Sequence, residues 1–377
     1  MKVRFGDVVK EVKVNIDRAQ NPYEFYVAGD HMDSEDFKIR RRGRFATDDV
    51  GPAFTRYFKP GQILYGSRRT YLKKVCVADF EGICANTTFV FESKDASKLD
   101  QRILPFLMLS DGFTKWSIQH SKGSTNPYVL FSDLADYEFD LPPIEKQREL
   151  AELLWAANDL KESYKKLIAA TDEMLKAKFR SVTDPLVASG AVQKLDDFVE
   201  DDRPICYGIL MPGEEIVGGV PVIKVRDFPN GEILLDKLIH TSREIDENYR
   251  RSRLRAGDLL ISIRGSVGRI AEVPLALENA NITQDTARLT IKAEFDRNYV
   301  RGVLESAPIQ RELEKNTKGV AIRGINIGFL RELMLPVASA RTQKELGEIA
   351  RKADETKATL KKSIADVEAV MKGLING

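Results

Sequence analysis

The densest chemistry in this 377-residue chain is positive charge. Between Lys38 and Lys74 stand eleven basic residues (Lys38, Arg40, Arg41, Arg42, Arg44, Arg56, Lys59, Arg68, Arg69, Lys73 and Lys74), opposed only by Asp48 and Asp49. From Arg250 to Arg269 six arginines face Asp258 alone. The whole chain is balanced at +1, so the charge is concentrated rather than general. Clustered guanidinium and ammonium groups hold phosphates, and arginine and asparagine also read base edges. Both clusters lie beside one repeated element, with Gly61, Leu64 and Arg68 recurring as Gly257, Leu260 and Arg264. That repetition favours a nucleic-acid surface over a merely solvated face. The candidate contacts in the first half are Arg40, Arg41, Arg42, Arg68, Arg69, Lys122 and Asn126. In the second half they are Arg226, Arg250, Arg253, Arg264, Lys318 and Arg323. Lys122-Gly123-Ser124-Thr125 and Lys318-Gly319 belong to loops whose backbone amides could approach a phosphate.

Sharper chemistries are not supported. Asn126-Pro127-Tyr128-Val129 lacks the second proline of the adenine-methyltransferase Asn-Pro-Pro-Tyr motif, and no glycine-rich cofactor loop follows a strand upstream. Lys122-Gly123-Ser124-Thr125 does not complete a phosphate-binding loop, and Gly265-Ser266-Val267-Gly268 has the wrong glycine spacing for a dinucleotide. His31, His120 and His240 are far apart, without a cysteine or second histidine at metal-ligand spacing. No catalytic residue, metal or cofactor is expected. Phe113, Trp116 and Tyr128 read as packing rather than as base-stacking platforms. Cys76, Cys84 and Cys206 form no C-x-x-C pair, which fits buried thiols in a reducing compartment. Met1-Lys2-Val3-Arg4-Phe5 has no signal-peptide apolar core, and no apolar run approaches membrane-spanning length. A cytoplasmic protein is expected.

The elements that must position these residues are written twice, shifted by 196 positions. Leu150, Leu153, Ala157, Leu160, Tyr164, Leu167, Thr171 and Met174 form a three-four spaced stripe. Leu346, Ile349, Ala353, Thr356, Leu360, Ser363, Val367 and Val370 repeat it in register. The period is far too long for a solenoid. It predicts two whole α+β domains, each followed by a long helix. Short apolar runs predict paired strands at Glu24–Val27 and Val220–Val225, at Gln62–Tyr65 and Asp258–Ile263, and at Thr87–Phe91 and Ala287–Ile291. Helical patches follow at Leu104–Ser110 and Tyr299–Ser306. The expected organisation is a first domain over 1–141, a first long helix over 142–182, a linker and second domain over 183–336, and a second long helix over 337–377. The first helix, Gln147 to Phe179, would measure about 50 Å and the second, Gln343 to Leu374, about 48 Å. Pro142 and Pro143 precede the first, Pro336 the second, and Pro185 with Gly190 closes the first. The two stripes predict an antiparallel coiled coil with pseudo-two-fold symmetry, paired through Leu150, Leu153, Leu160, Leu167 and Met174 against Leu346, Ile349, Leu360, Val367 and Val370.

Leu141-Pro142-Pro143-Ile144-Glu145-Lys146-Gln147, entering a long amphipathic helix, resembles the conserved-region signature of the specificity subunits of type I restriction–modification enzymes. Leu335-Pro336 followed by Gln343-Lys344-Glu345-Leu346 is similar, with two extra residues before the glutamine. The openings Phe5-Gly6-Asp7-Val8-Val9 and Leu195-Asp196-Asp197-Phe198-Val199 also fit, as do Tyr26–Asp33, Gly61–Arg69 and Gly257–Gly268. This resemblance spans essentially the whole chain. It implies two target-recognition domains that read a bipartite duplex DNA sequence, spaced by the helices. It further implies docking of two S-adenosylmethionine-dependent adenine methyltransferase subunits, joined in the complete enzyme by translocating nuclease subunits. The chain itself would do no chemistry. Three other readings stay open: a specificity subunit of a methylation-only system, a catalytic methyltransferase or nuclease carrying its own specificity domains, and a coiled-coil scaffold with no DNA role.

Overall fold

The computed structural model describes residues 1–17, 20–319 and 323–376. The chain divides into two compact units, one formed by Met1–Lys165 with the segment from Lys361, the other by Lys166–Leu360.

In the first unit the apolar runs pair into two four-stranded sheets. One is antiparallel throughout, in the order Val9–Glu11, Thr88–Ser93, Ile63–Gly66, Val75–Val77. The other runs Gly43–Arg44, Phe25–Val27, Gly82–Ala85, Phe54–Phe58, with its two central strands parallel. Parallel neighbours need a crossover longer than a hairpin, and the intervening residues supply it. Phe5, Tyr65, Phe91, Phe106 and Phe113 build a core closed by helices Leu104–Leu109 and Asp111–Gln119. Ser110 accepts the backbone N–H of Phe113 and so starts the second of these helices. Burial pushes the thiols of Cys76 and Cys84 up to about 12.

The second unit repeats the plan. Its antiparallel sheet has the order Cys206–Tyr207, Thr286–Leu289, Leu259–Ser262, Ile270–Glu272. A three-stranded sheet again contains one parallel pair, Val220–Ile223 with Asn281–Ile282. Leu64 faces Val90 in the first unit, and Leu260 faces Arg288 in the second. The expected strands and both helical patches are present, shortened or displaced by one to three residues. Helices Asp111–Gln119 and Ala307–Lys315 were not expected from the sequence.

Both long helices exceed the expected bounds. The first is Ile144–Ala188, 45 residues, and the second Ala340–Asn376, 37 residues. At 1.5 Å per residue these run about 68 Å and about 56 Å. Pro185 does not close the first helix. The helix continues past it for almost a turn, because proline's fixed φ is helical and only one backbone hydrogen bond is forfeited. Gly190, at φ +76°, ends the turn, with its N–H on Val187 and that of Ala191 on Leu186. The helices run antiparallel: Lys161 pairs with Glu368 within the first unit, and Lys357 with Asp172 within the second.

The buried face differs from the expected stripe. Leu153, Leu160, Leu167, Met174 and Val370 are exposed, Leu150, Ile349 and Val367 are half-buried, and only Leu346 and Leu360 of the expected set are buried. On the first helix the buried positions include Ala151, Leu154, Asn158 and Lys161, each one residue beyond a position of that stripe. One residue is 100° of helix rotation, enough to carry a stripe off its partner. The most apolar stripe misled because the true seam holds polar groups with specific partners. Among these are Lys161 and Glu162, the latter accepting Arg40.

The spacing before Gln343 also differs from the expected insertion. Gln147 bonds the carbonyl of Pro142, and Gln343 that of Ala338, so the offset of 196 continues without two extra residues. Leu335-Pro336 belongs to the strand Met334–Pro336, which pairs with Val192–Lys194 as Glu138–Asp140 pairs with Lys2–Arg4.

Candidate nucleic-acid interface

In the first unit, strand Ile63–Gly66 runs into Ser67-Arg68-Arg69, and this edge is stitched to a loop 60 residues away in sequence. The N–H of Val129 donates to Ser67 at 3.0 Å and that of Arg69 to Pro127 at 2.6 Å. Lys122 and Tyr128 exchange backbone hydrogen bonds of 2.7 and 2.9 Å, pinching off residues 123–127 as a closed loop. Gly123, at φ +88°, permits the reversal at its start. The result gathers Arg68, Arg69, Lys122 and the exposed Asn126 on one patch. Arg68 lies 5.5 Å above the ring of Tyr128, which is half-exposed and so serves the guanidinium rather than the core. Lys122 is 3.0 Å from Asp133, whereas Arg68 and Arg69 have no ion pair among the described residues. Arg69 occupies the left-handed region at φ 49°, a conformation that disfavours any side chain with a Cβ.

The second unit makes the same construction from residues 196 positions later. Lys318 and Gly324 exchange hydrogen bonds of 2.9 Å each, Gly265 donates to Arg323 at 2.9 Å, and Ile325 to Ile263 at 2.9 Å. Gly265 now takes the left-handed position of Arg69, at φ +73°, and Gly319 follows Lys318 at φ +114°. Arg264, Asn316, Lys318, Asn326 and Phe329 line a cavity of about 560 Å³. Arg264 reaches Gln284 at 3.0 Å and stands 3.9 Å from Asp285. Lys318 and Arg323 are exposed, with no ion pair among the described residues. An exposed cation without an acidic neighbour is free to exchange counterions for a phosphate.

Residues 14–170 match the family described as the type I restriction modification DNA specificity domain. The type I restriction enzyme EcoBI specificity subunit of Escherichia coli is 26% identical over 288 residues, covering 66% of this chain and 60% of the relative. The MjaVIII specificity subunit of Methanocaldococcus jannaschii is 21% identical over 99% of this chain and 90% of its own. Over residues 14–170 by the family description, and over most of its length by these relatives, the chain is similar to type I specificity subunits. It spans only 60% of the EcoBI subunit and 31% of the EcoDI subunit, which is 28% identical over 145 residues. A solved type I S subunit from M. genitalium covers the whole chain and 94% of its own, at TM-score 0.58 and 16% identity. A chain from a study of complex assembly in the type I R-M system gives 0.57 at 19%, covering 100% of this chain and 96% of its own. At such identities these two likenesses establish the fold.

Elsewhere in the chain, the other sequence-predicted cations are differently employed. Arg40 binds Asp36 at 2.8 Å and Glu162 at 2.5 Å. Burial alone would raise the Glu162 carboxyl, but hydrogen bonds from Arg40 and Lys165 hold it below the ordinary glutamate range. Arg41 is tied to Asp33, and Arg42 stacks over Phe25 at 3.8 Å. Arg253 is held by Asp246 and Glu247, Arg250 stands 3.6 Å from Glu247, and Arg226 stands 3.6 Å from Asp227. Arg226 and Arg250 sit on turns Val225–Asp227 and Arg250–Ser252, apart in sequence from the 318–324 loop. The loop thus unites Arg68, Arg69, Lys122 and Asn126 in one unit and Arg264, Lys318 and Arg323 in the other. Sequence reasoning missed Gln284, Asn316 and Asn326 beside it, since polar residues scattered in loops carry no periodic signal. It also missed Arg288, whose place inside the apolar strand Thr286–Leu289 was the available clue.

Proposed function

We propose that this chain is the DNA-reading subunit of a type I restriction–modification system. Each unit contacts one block of a bipartite duplex sequence through its pinched loop. The long helices set the gap between the blocks and dock two adenine methyltransferase subunits, which supply S-adenosylmethionine chemistry; restriction and translocation subunits complete the enzyme. The chain contributes recognition and no catalysis, and it works in the cytoplasm; among the described residues no helix is long and apolar enough to cross a membrane. The observation that carries this reading is the recurrence, at an offset of 196, of one loop construction presenting Arg68 and Arg69 in one unit and Lys318 and Arg323 in the other. A scaffold has no need to repeat exposed cations on a pinned loop.

The test is to map methylated adenines in a host genome with and without this chain. Two short blocks around a fixed unspecified gap, lost on deletion, are expected. A contiguous motif, or methylation indifferent to the deletion, defeats the reading. The purified chain alone, given S-adenosylmethionine and duplex DNA, should transfer no methyl group.

A further inference from the structure

Arg288 sits in the middle of strand Thr286–Leu289, only 2% exposed, where the first unit carries Val90. A guanidinium taken out of water demands a matching anion or a full set of acceptors. Arg288 has neither. Its two Nη atoms donate to the carbonyls of Arg253 at 3.4 Å and Pro204 at 3.0 Å, and its Nε finds no acceptor. Among the described residues no carboxylate lies within ion-pair distance of it. The neighbouring buried acid, Asp258, is already occupied by Arg203 at 2.9 Å, Thr290 at 2.6 Å and the N–H of Arg255 at 2.8 Å. Arg203 thus has a carboxylate partner, and Arg288 adds a second positive charge nearby without one. Burial, and after it the charge of Arg288, lowers Arg203's hold on its proton.

Beside these two groups lies a cavity of about 240 Å³, lined by Arg203, Arg288, Arg250, Arg251 and, as its acid, Asp202. That volume is several times the ~30 Å³ share of a water molecule, room for a small oxyanion and its hydration. Arg250 and Arg251 are exposed and form the side open to solvent. Several planar donors of fixed geometry around one small space suit phosphate better than a point cation would.

We infer that this pocket binds a single phosphate-class oxyanion, with the buried Arg288 and the partly buried Arg203 as its inner donors and Arg250 and Arg251 closing over it. The oxyanion comes either from a DNA backbone or from free phosphate, and the experiment separates the two. The full chain is melted in sodium phosphate and in sodium chloride at equal ionic strength, alongside Arg288→Met and Arg251→Ala. The unmodified chain should melt higher in phosphate, and both variants should lose that increment. Arg251→Ala alters only an exposed side chain, so it decides the matter should Arg288→Met fold poorly. In the second arm the salt dependence of duplex binding is measured for the same proteins. A log–log slope smaller by about 0.9 in both variants assigns the site to a DNA phosphate. A phosphate increment with an unchanged slope assigns it to a free anion. Equal melting in the two salts together with unchanged slopes overturns the inference, and the phosphate arm stands whether or not the chain reads DNA.

Discussion

Gln147 accepts the backbone N–H of Asp100 at 3.0 Å, and 196 residues later Gln343 accepts that of Asp296 at 3.1 Å. Each glutamine is almost fully buried at the root of a long helix, and each also donates to a carbonyl five residues before it. Gln147 donates in addition to Lys98. Each glutamine thus staples the root of a helix to a loop of the unit that the helix leaves.

Replacing Gln147 with Leu keeps the volume and strands the Asp100 N–H with two carbonyls. A loss of about 2–4 kcal/mol is expected from three unsatisfied groups. Urea unfolding at pH 7 reads it directly, and a loss under 1 kcal/mol would mean that water takes over these bonds.

Acid should attack the contact between Arg40 and the first long helix. Both Asp36 and Glu162 are held below their ordinary values: burial opposes this, but the hydrogen bonds of Arg40 outweigh it with help from the Lys38 N–H on Asp36 and from Lys165 on Glu162. A depressed carboxylate stabilises the fold above its unfolded pKa, and that stability drains away as pH falls through the folded value. Arg40→Gln should therefore cost about 1–2 kcal/mol at pH 7, a figure discounted because Arg40 is partly exposed. Below about pH 4 its stability should converge on that of the unmodified chain. Denaturation midpoints from pH 7 to pH 3 that stay parallel for the two proteins would refute the assignment.

Arg69 is held at φ 49° where the second unit uses Gly265. Substitution Arg69→Gly should raise stability by about 1 kcal/mol, since the left-handed conformation no longer strains a Cβ. The same change should weaken duplex binding by the assembled complex and flatten its salt dependence by about 0.9. Arg41→Ala, which breaks an exposed pair with Asp33, should leave that slope unchanged. Equal slopes for Arg69→Gly and the unmodified chain would remove this loop from the interface.

Four residues added to each long helix lengthen it by about 6 Å. If these helices are the ruler, the unspecified gap in the methylated motif grows while the two blocks keep their sequences. Sequencing the methylated sites of such a strain gives the answer, and an unaltered gap dismisses the helices from that role.

The amino-acid sequence alone determined the duplication, the two mixed domains, the two long helices and the local excess of positive charge. These are periodic or compositional properties: an offset of 196, a spacing of three and four, a run of arginines. It also marked Gln147 and Gln343, though not what they hold. Tertiary structure alone decided which face of each helix is buried, because a buried face can be made from Lys161 and Glu162 once Glu368 and Arg40 stand beside them, and Leu153 and Leu160 are then left to solvent. It alone separated the cations as well. Arg41 and Arg253 sit in charged runs that look no different from those of Arg69 and Lys318, yet the first two are neutralised by acids the fold brings near and the last two are not. Charge is a property of a residue, whereas a free charge depends on what folding places within 4 Å of it.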